Sequence, residues 1–129
     1  KDNDVMSGFL SRISRSRNPD LKVINNLMET SKNEKVRQAA TQTLANIYSR
    51  KDDKKEESLA LYKKLEAWPN IAESNPKLLK HAKSQIFVVE NLAVGMEAPD
   101  IVGTDHEGKK FKLSDYRGKV TMIDFWGIW

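Results

Sequence analysis

The spacing of apolar residues changes once along the chain, near residue 93, and a fold that ignores this change cannot bury them. Before it, apolar residues recur three and four apart, the period of an amphipathic helix. After it they alternate with polar residues or run together, as strand residues do. Val36, Ala39, Ala40, Leu44, Ile47 and Tyr48 form the cleanest helical stripe. Ala39 and Ala40 are small enough to let a neighbouring helix approach closely. Leu21, Ile24, Leu27 and Met28 form a second stripe, and Val5, Phe9, Leu10 and Ile13 an earlier one after a cap at Asp4.

Punctuation between the stripes sets the helix boundaries. Asn18-Pro19 ends the first helix, because Pro19 has no donor and suits a first helical position. Asn33-Glu34 restarts the chain before the third helix. The acids of Asp52-Asp53-Lys54-Lys55-Glu56-Glu57 favour the start of a fourth. That helix presents Leu61, Tyr62, Leu65 and Trp68 and stops at Pro69. Residues 70–75 read as a linker. From Pro76, a last helix puts Leu78, Leu79, Ala82, Ile86, Phe87 and Val89 on a broad apolar side and ends near Ala93. Five helices on short connections imply antiparallel pairs, about two and a half hairpins of a small α-solenoid-like bundle over residues 1–93.

Residues 94–129 have a different grammar. Pro99 biases Ala98 to extended backbone. Ile101 and Val102 begin a short strand, Asp105-His106-Glu107-Gly108 a turn, and Phe111 and Leu113 alternate with Lys110 and Lys112 as a half-buried strand does. Ser114 suits the N-cap of a short turn through Tyr116 that Gly118 ends. Val120, Met122, Ile123, Phe125 and Trp126 form an apolar run suited to a strand covered on both faces.

These motifs carry a family resemblance. Gly95-x-x-Ala98-Pro99-Asp100, Asp105-x-x-Gly108, Leu113 through Val120 and Asp124-Phe125-Trp126-Gly127-x-Trp129 come in the order of the start of a thioredoxin-fold domain. The segment resembles the extracytoplasmic thiol-disulfide oxidoreductases and their peroxiredoxin-like relatives (the alkyl hydroperoxide reductase and thiol-specific antioxidant group). The resemblance implies that the residue after Trp129 is the first Cys of a Cys-x-x-Cys pair, with a thiolate favoured at a helix N-terminus and a second Cys that resolves the mixed disulfide. It implies that Asp124 is the buried carboxylate under those cysteines and that Trp126 and Trp129 flank them. It also implies a periplasmic or secreted parent protein, and helical domains precede some of its members. The third helix further resembles one helix of a HEAT repeat, and the fourth the second half of a tetratricopeptide unit, without a fixed repeat period.

The chain contains no cysteine, so by itself it is expected to be an inactive portion of such an oxidoreductase, cut just before the redox motif. A cloning boundary, proteolysis, or a selenocysteine codon read as a stop each accounts for that end. The fold expected is therefore mainly α: a helical hairpin bundle (1–93), then the opening β segment of an incomplete thioredoxin fold (94–129). The helical region is expected to bind a partner or to position the redox domain; a non-enzymatic interaction module is the alternative. Strands without their neighbours expose pairing edges, which predicts homo-oligomers through the C-terminal strands.

Other classes receive no support. No apolar run approaches the ~20 residues of a membrane span. Net charge is +4, with basic residues interleaved with acids. Arg12, Arg15 and Arg17 cluster without aromatic neighbours, as a solvated helix face does, so no nucleic-acid partner is expected. No cofactor is implied. His81 reads as a helix-surface residue. His106 lies between Asp105 and Glu107, three ligand types that cannot all face one ion without a special loop, so no metal site is expected.

Overall fold

The computed structural model describes residues 2–127. The chain divides into two compact units, residues 1–93 and 94–129. Among the described residues the first is all helix: α1 (Asp2–Ser14), α2 (Leu21–Thr30), α3 (Glu34–Tyr48), α4 (Lys55–Glu66), α5 (Ile71–Ser74) and α6 (Pro76–Asn91). The second holds a two-stranded antiparallel sheet of β1 (Val102–Thr104) and β2 (Lys110–Lys112), followed by a 3₁₀ turn over Leu113–Tyr116. The chain is mainly helical with a short β segment near its C-terminal end, as the change of period predicts.

Caps define the helix starts. The Asp20 carboxylate accepts from Lys22 N at 3.0 Å and Val23 N at 3.2 Å, satisfying donors at the start of α2. Asp20, and not Pro19, therefore sets that boundary. Asn33 does the same for α3, and Asn75 accepts from Leu78 N at 3.3 Å to open α6, where Pro76 takes a first-turn place that needs no donor. The expected cap at Asp4 gives way to a helix beginning at Asp2; the Val5 side chain lies outside the described ones. The expected linker 70–75 contains the single turn α5, entered through Asn70 at φ 54°. Asn tolerates this left-handed backbone better than most residues.

Helix α3 packs against α1, α2 and α4, and α4 packs in turn against α6. The core accordingly lies in two clusters. Leu10, Ile24, Ala40, Leu44 and Ile47 meet on one side of α3. Ala45 joins Tyr62, Leu65, Ile71, Leu78, Ala82 and Ile86 on the other. Ala40 and Ala45 are fully buried, so α3 approaches its neighbours with almost no side chain between. The stripe of α6 differs from expectation at one position: Ile86 is buried and Val89 half-buried, but Phe87 is 49% exposed. Only α4 and α5 cover α6 closely, so the rest of its broad apolar side stays open.

Among the described residues four polar side chains are buried: Gln38, Thr41, Thr43 and Ser58. Ser58 Oγ donates to the Ala45 carbonyl at 2.9 Å, tying α4 to α3. Tyr62 Oη donates to Asn46 Oδ1 at 2.7 Å, and burial pushes its phenol pKa up, so it stays a donor. Gln38 Nε2 donates to Glu34 Oε1 at 3.1 Å, while its carbonyl accepts from Asn75 Nδ2 at 3.3 Å, tying α3 to the start of α6. Truncating the fully buried Leu65 to Ala should cost about 2–5 kcal/mol, whereas Tyr62→Phe should cost roughly 0.5–1.5 kcal/mol. Urea unfolding followed by circular dichroism checks both, and equal effects would contradict this account of the core.

Candidate functional site

The motif-bearing unit closes on itself through Asp100. Its Oδ1 accepts from Ser114 N and its Oδ2 from Ser114 Oγ, both at 2.8 Å. These bonds hold the Asp100 carboxyl below its ordinary value, the backbone donor contributing most. Next to the clamp, Leu113 N donates to the Ile101 carbonyl at 2.9 Å. The β1–β2 register then pairs Val102 with Lys112, Gly103 with Phe111 and Thr104 with Lys110. A Cβ at Gly103 would lie 2.9 Å from the tip of the Phe111 ring, so the ring lies over the glycine and a side chain there would displace it. Asp105 Oδ1 organises the hairpin turn by accepting from Glu107 N at 3.0 Å and Lys109 N at 2.8 Å, with Gly108 at φ 84°.

The Ser114 side chain is thus spent on Asp100 rather than on a helix start. The 3₁₀ turn opens after Lys112, whose N–H donates to Asp115 Oδ2 at 3.1 Å. Arg117 forms an exposed ion pair with Glu97. Together these groups border an open cleft of about 340 Å³ lined by Asp100, Ser114, Tyr116, Arg117, Thr121 and Ile123 among others. The cleft offers hydroxyls, a guanidinium, an ammonium and two carboxylates but, among the described residues, no thiol.

The apolar run 120–126 does not form the expected strand: among the described residues no ladder partner pairs with it. Val120, Met122, Phe125 and Trp126 stand 81–106% exposed and Ile123 46%. A strand exists only where its N–H and C=O groups meet a partner, and β1 and β2 bond to each other instead. Of the residues that the resemblance singles out, Asp124 is exposed and has no hydrogen bond or ion pair among the described residues. Trp126 is exposed beside it in sequence, and Trp129 lies outside the described residues. The structure therefore does not gather Asp124 and Trp126 into a pocket. It brings together Asp100 and Ser114, each visible as a motif residue but not as a pair, since 14 residues separate them.

The two histidines fall in unlike places. His81 is half-buried on α6, edge-on to the Tyr62 ring at 5.9 Å, with Nε2 3.3 Å from Asn46 Oδ1. His106 is exposed in the hairpin turn, 3.9 Å from the Glu107 carboxylate. Among the described residues no three His, Asp or Glu side chains stand close enough to share a metal ion, and no helix is long and apolar enough to cross a membrane.

Comparison with known proteins finds short, strong similarity to one kind of enzyme. The thiol-disulfide oxidoreductase ResA of Bacillus thuringiensis subsp. konkukian is 50% identical over 40 residues, covering 31% of this chain and 23% of that protein. The ResA of Geobacillus kaustophilus is 55% identical over 38 residues, covering 30% and 22%. The ResA of Bacillus subtilis is 42% identical over 40 residues, covering 31% and 22%. The chain thus spans less than a quarter of the length of the curated relatives it matches. No family model and no solved structure matches it. The partial homology places the matched segment with thioredoxin-like thiol-disulfide oxidoreductases.

The Asp100–Ser114 clamp predicts a pH response. A carboxyl held low in the folded state stabilises above its unfolded pKa and loses that contribution as pH falls through the folded value. The Ser114 amide resonance should therefore shift and lose exchange protection only below about pH 4, near the unfolded carboxyl value. An Asp100→Asn variant should abolish the transition in an NMR titration. An unchanged transition in that variant would assign it to another group.

Proposed function

We propose that this chain is the part of an extracytoplasmic thiol-disulfide oxidoreductase that precedes its redox motif, with the helical unit placed before a thioredoxin-like domain. The 50% identity over 40 residues to oxidoreductases of that kind carries this reading. The ordered motifs of residues 94–129 agree with it. The 129 residues contain no cysteine, so thiol exchange must be carried out by residues beyond them, and the chain alone is inactive in that chemistry. In the assembled domain, Asp124 is the proton acceptor beneath the redox pair, and Trp126 and Trp129 border it. A carboxylate in that position suits a group that takes a proton from an attacking thiol.

Reading the gene past the Trp129 codon tests this first. A cysteine codon, or TGA in frame with a following Gly-Pro-Cys, supports the proposal; a frame with no such motif sinks it. In the full-length protein, Asp124→Asn should slow reduction of a disulfide substrate by about 10²-fold near pH 7, the lower end of general acid–base contributions. An unchanged rate would remove Asp124 from the mechanism.

The helical unit carries a core of its own, which supports a second role for it: holding a protein partner or positioning the redox domain. The exposed run 120–126 and the open edges of the hairpin also favour self-association of the 129-residue chain. Light scattering should give a mass that rises with concentration and falls back to 14.7 kDa per particle when Val120 and Met122 are both replaced by Lys. A monomer at every concentration would refute this association.

A further inference from the structure

One face of the helical unit holds a groove that the redox chemistry does not use. It has a volume of about 360 Å³ and lies among α1, α3 and the start of α6, within the usual range for ligand sites. Its polar wall comes from α3: Lys35, Gln42, Thr43 and Asn46. Successive separations of seven, one and three residues keep these four on one side of the helix. Among the described residues no carboxylate lines the groove.

These groups are arranged to donate. Among the described residues, Lys35 has no ion pair and Gln42 no hydrogen bond. Asn46 is fixed by the fold: its Oδ1 accepts from Tyr62 Oη at 2.7 Å and lies 3.3 Å from His81 Nε2. Its carbonyl side is thereby engaged, and its Nδ2 donors are left without a partner. Thr43 is only 5% exposed and makes no hydrogen bond. No buried side-chain polar atom among the described residues is sealed off without a partner, so the Thr43 hydroxyl opens into the groove. At the far end, Arg50 Nη1 donates to the Ser14 carbonyl at 2.9 Å, adding a second cation beside Ser14, which also lines the groove.

We propose that this groove binds an extended acidic peptide segment of a protein partner. Its acceptors, a carboxylate against Lys35 and backbone carbonyls along the row, would meet Gln42, Thr43 and Asn46. The shape of the donor set favours a chain over a small anion. From Lys35 to Asn46 is 11 residues of helix, about 16 Å at 1.5 Å per residue, the length of roughly five extended residues. A compact anion would need donors converging on one point, and these are strung out in a line. The proposal deepens the reading that the helical unit holds a partner. It is independent of the redox assignment, which is tested on residues outside this groove.

The test uses the isotope-labelled 129-residue chain and three probes: the acetylated peptide Ala-Ser-Glu-Ala-Asp-Glu with a free C-terminus, its amidated Gln/Asn counterpart, and succinate. The acidic peptide should bind saturably, shifting the amide resonances of Lys35, Gln42, Thr43 and Asn46, and should weaken with added salt. Lys35→Gln, on an exposed position that leaves the core intact, should weaken binding by about two- to fivefold, the scale of one exposed ion pair. Thr43→Val, nearly isosteric, should weaken it less and leave unfolding nearly unchanged. The neutral peptide and succinate should bind at least tenfold more weakly. The proposal is overturned by equal binding of the neutral peptide, by succinate binding as well as the acidic peptide, by no binding, or by shifts that map elsewhere.

Discussion

Helix α3 is packed on two sides at once, and the helical unit takes its form from that demand. A helix covered on opposite sides cannot keep one polar face, so the positions between its stripes must be small or internally satisfied. Ala40 and Ala45 meet the first condition, each fully buried. Gln38 and Thr41 meet the second: Gln38 bonds to Glu34 and Asn75, and Thr41 Oγ1 donates to the Arg37 carbonyl at 2.8 Å. Glu34 also accepts from Trp68 Nε1 at 3.1 Å, so the first turn of α3 anchors the end of the hairpin that follows it.

This demand explains what the sequence discloses and what it hides. The apolar stripes of α2, α3 and α4 are local patterns, and Ile24, Leu44, Tyr62 and Leu65 are buried as their spacing implies. Thr43 and Ser58 give no such signal, because burial of a hydroxyl depends on a neighbour supplied by another helix or on an open groove. Phe87 fails in the opposite sense. It fits the apolar side of α6 but is exposed, since the packing of neighbouring helices decides which part of a wide stripe is covered. The row Lys35, Gln42, Thr43 and Asn46 is visible in hindsight as polar residues at helical spacing on a helix that is otherwise buried.

The C-terminal unit divides in the same way. Its turns are legible because Gly108 and Asp105 act within a few residues, and the hairpin forms where alternation places it. The run 120–126 has the composition of a strand, but a strand is a relation between two segments. The partner that would complete it is not among the residues described. The Asp100–Ser114 pairing lies between these cases: both residues stand out, while the link between them appears only once the hairpin is folded.

That link has a kinetic side. The clamp joins residues 14 apart, and the Glu97–Arg117 pair, at 20 apart, is hardly more distant. A hairpin of this kind forms in about 1–10 μs, far less than the time a ribosome needs to add one residue. The hairpin with its clamp can therefore form as soon as its last residue is free to move, without waiting for any distant partner. A lone two-stranded hairpin is only marginally stable, so this unit is quick to form and equally quick to open.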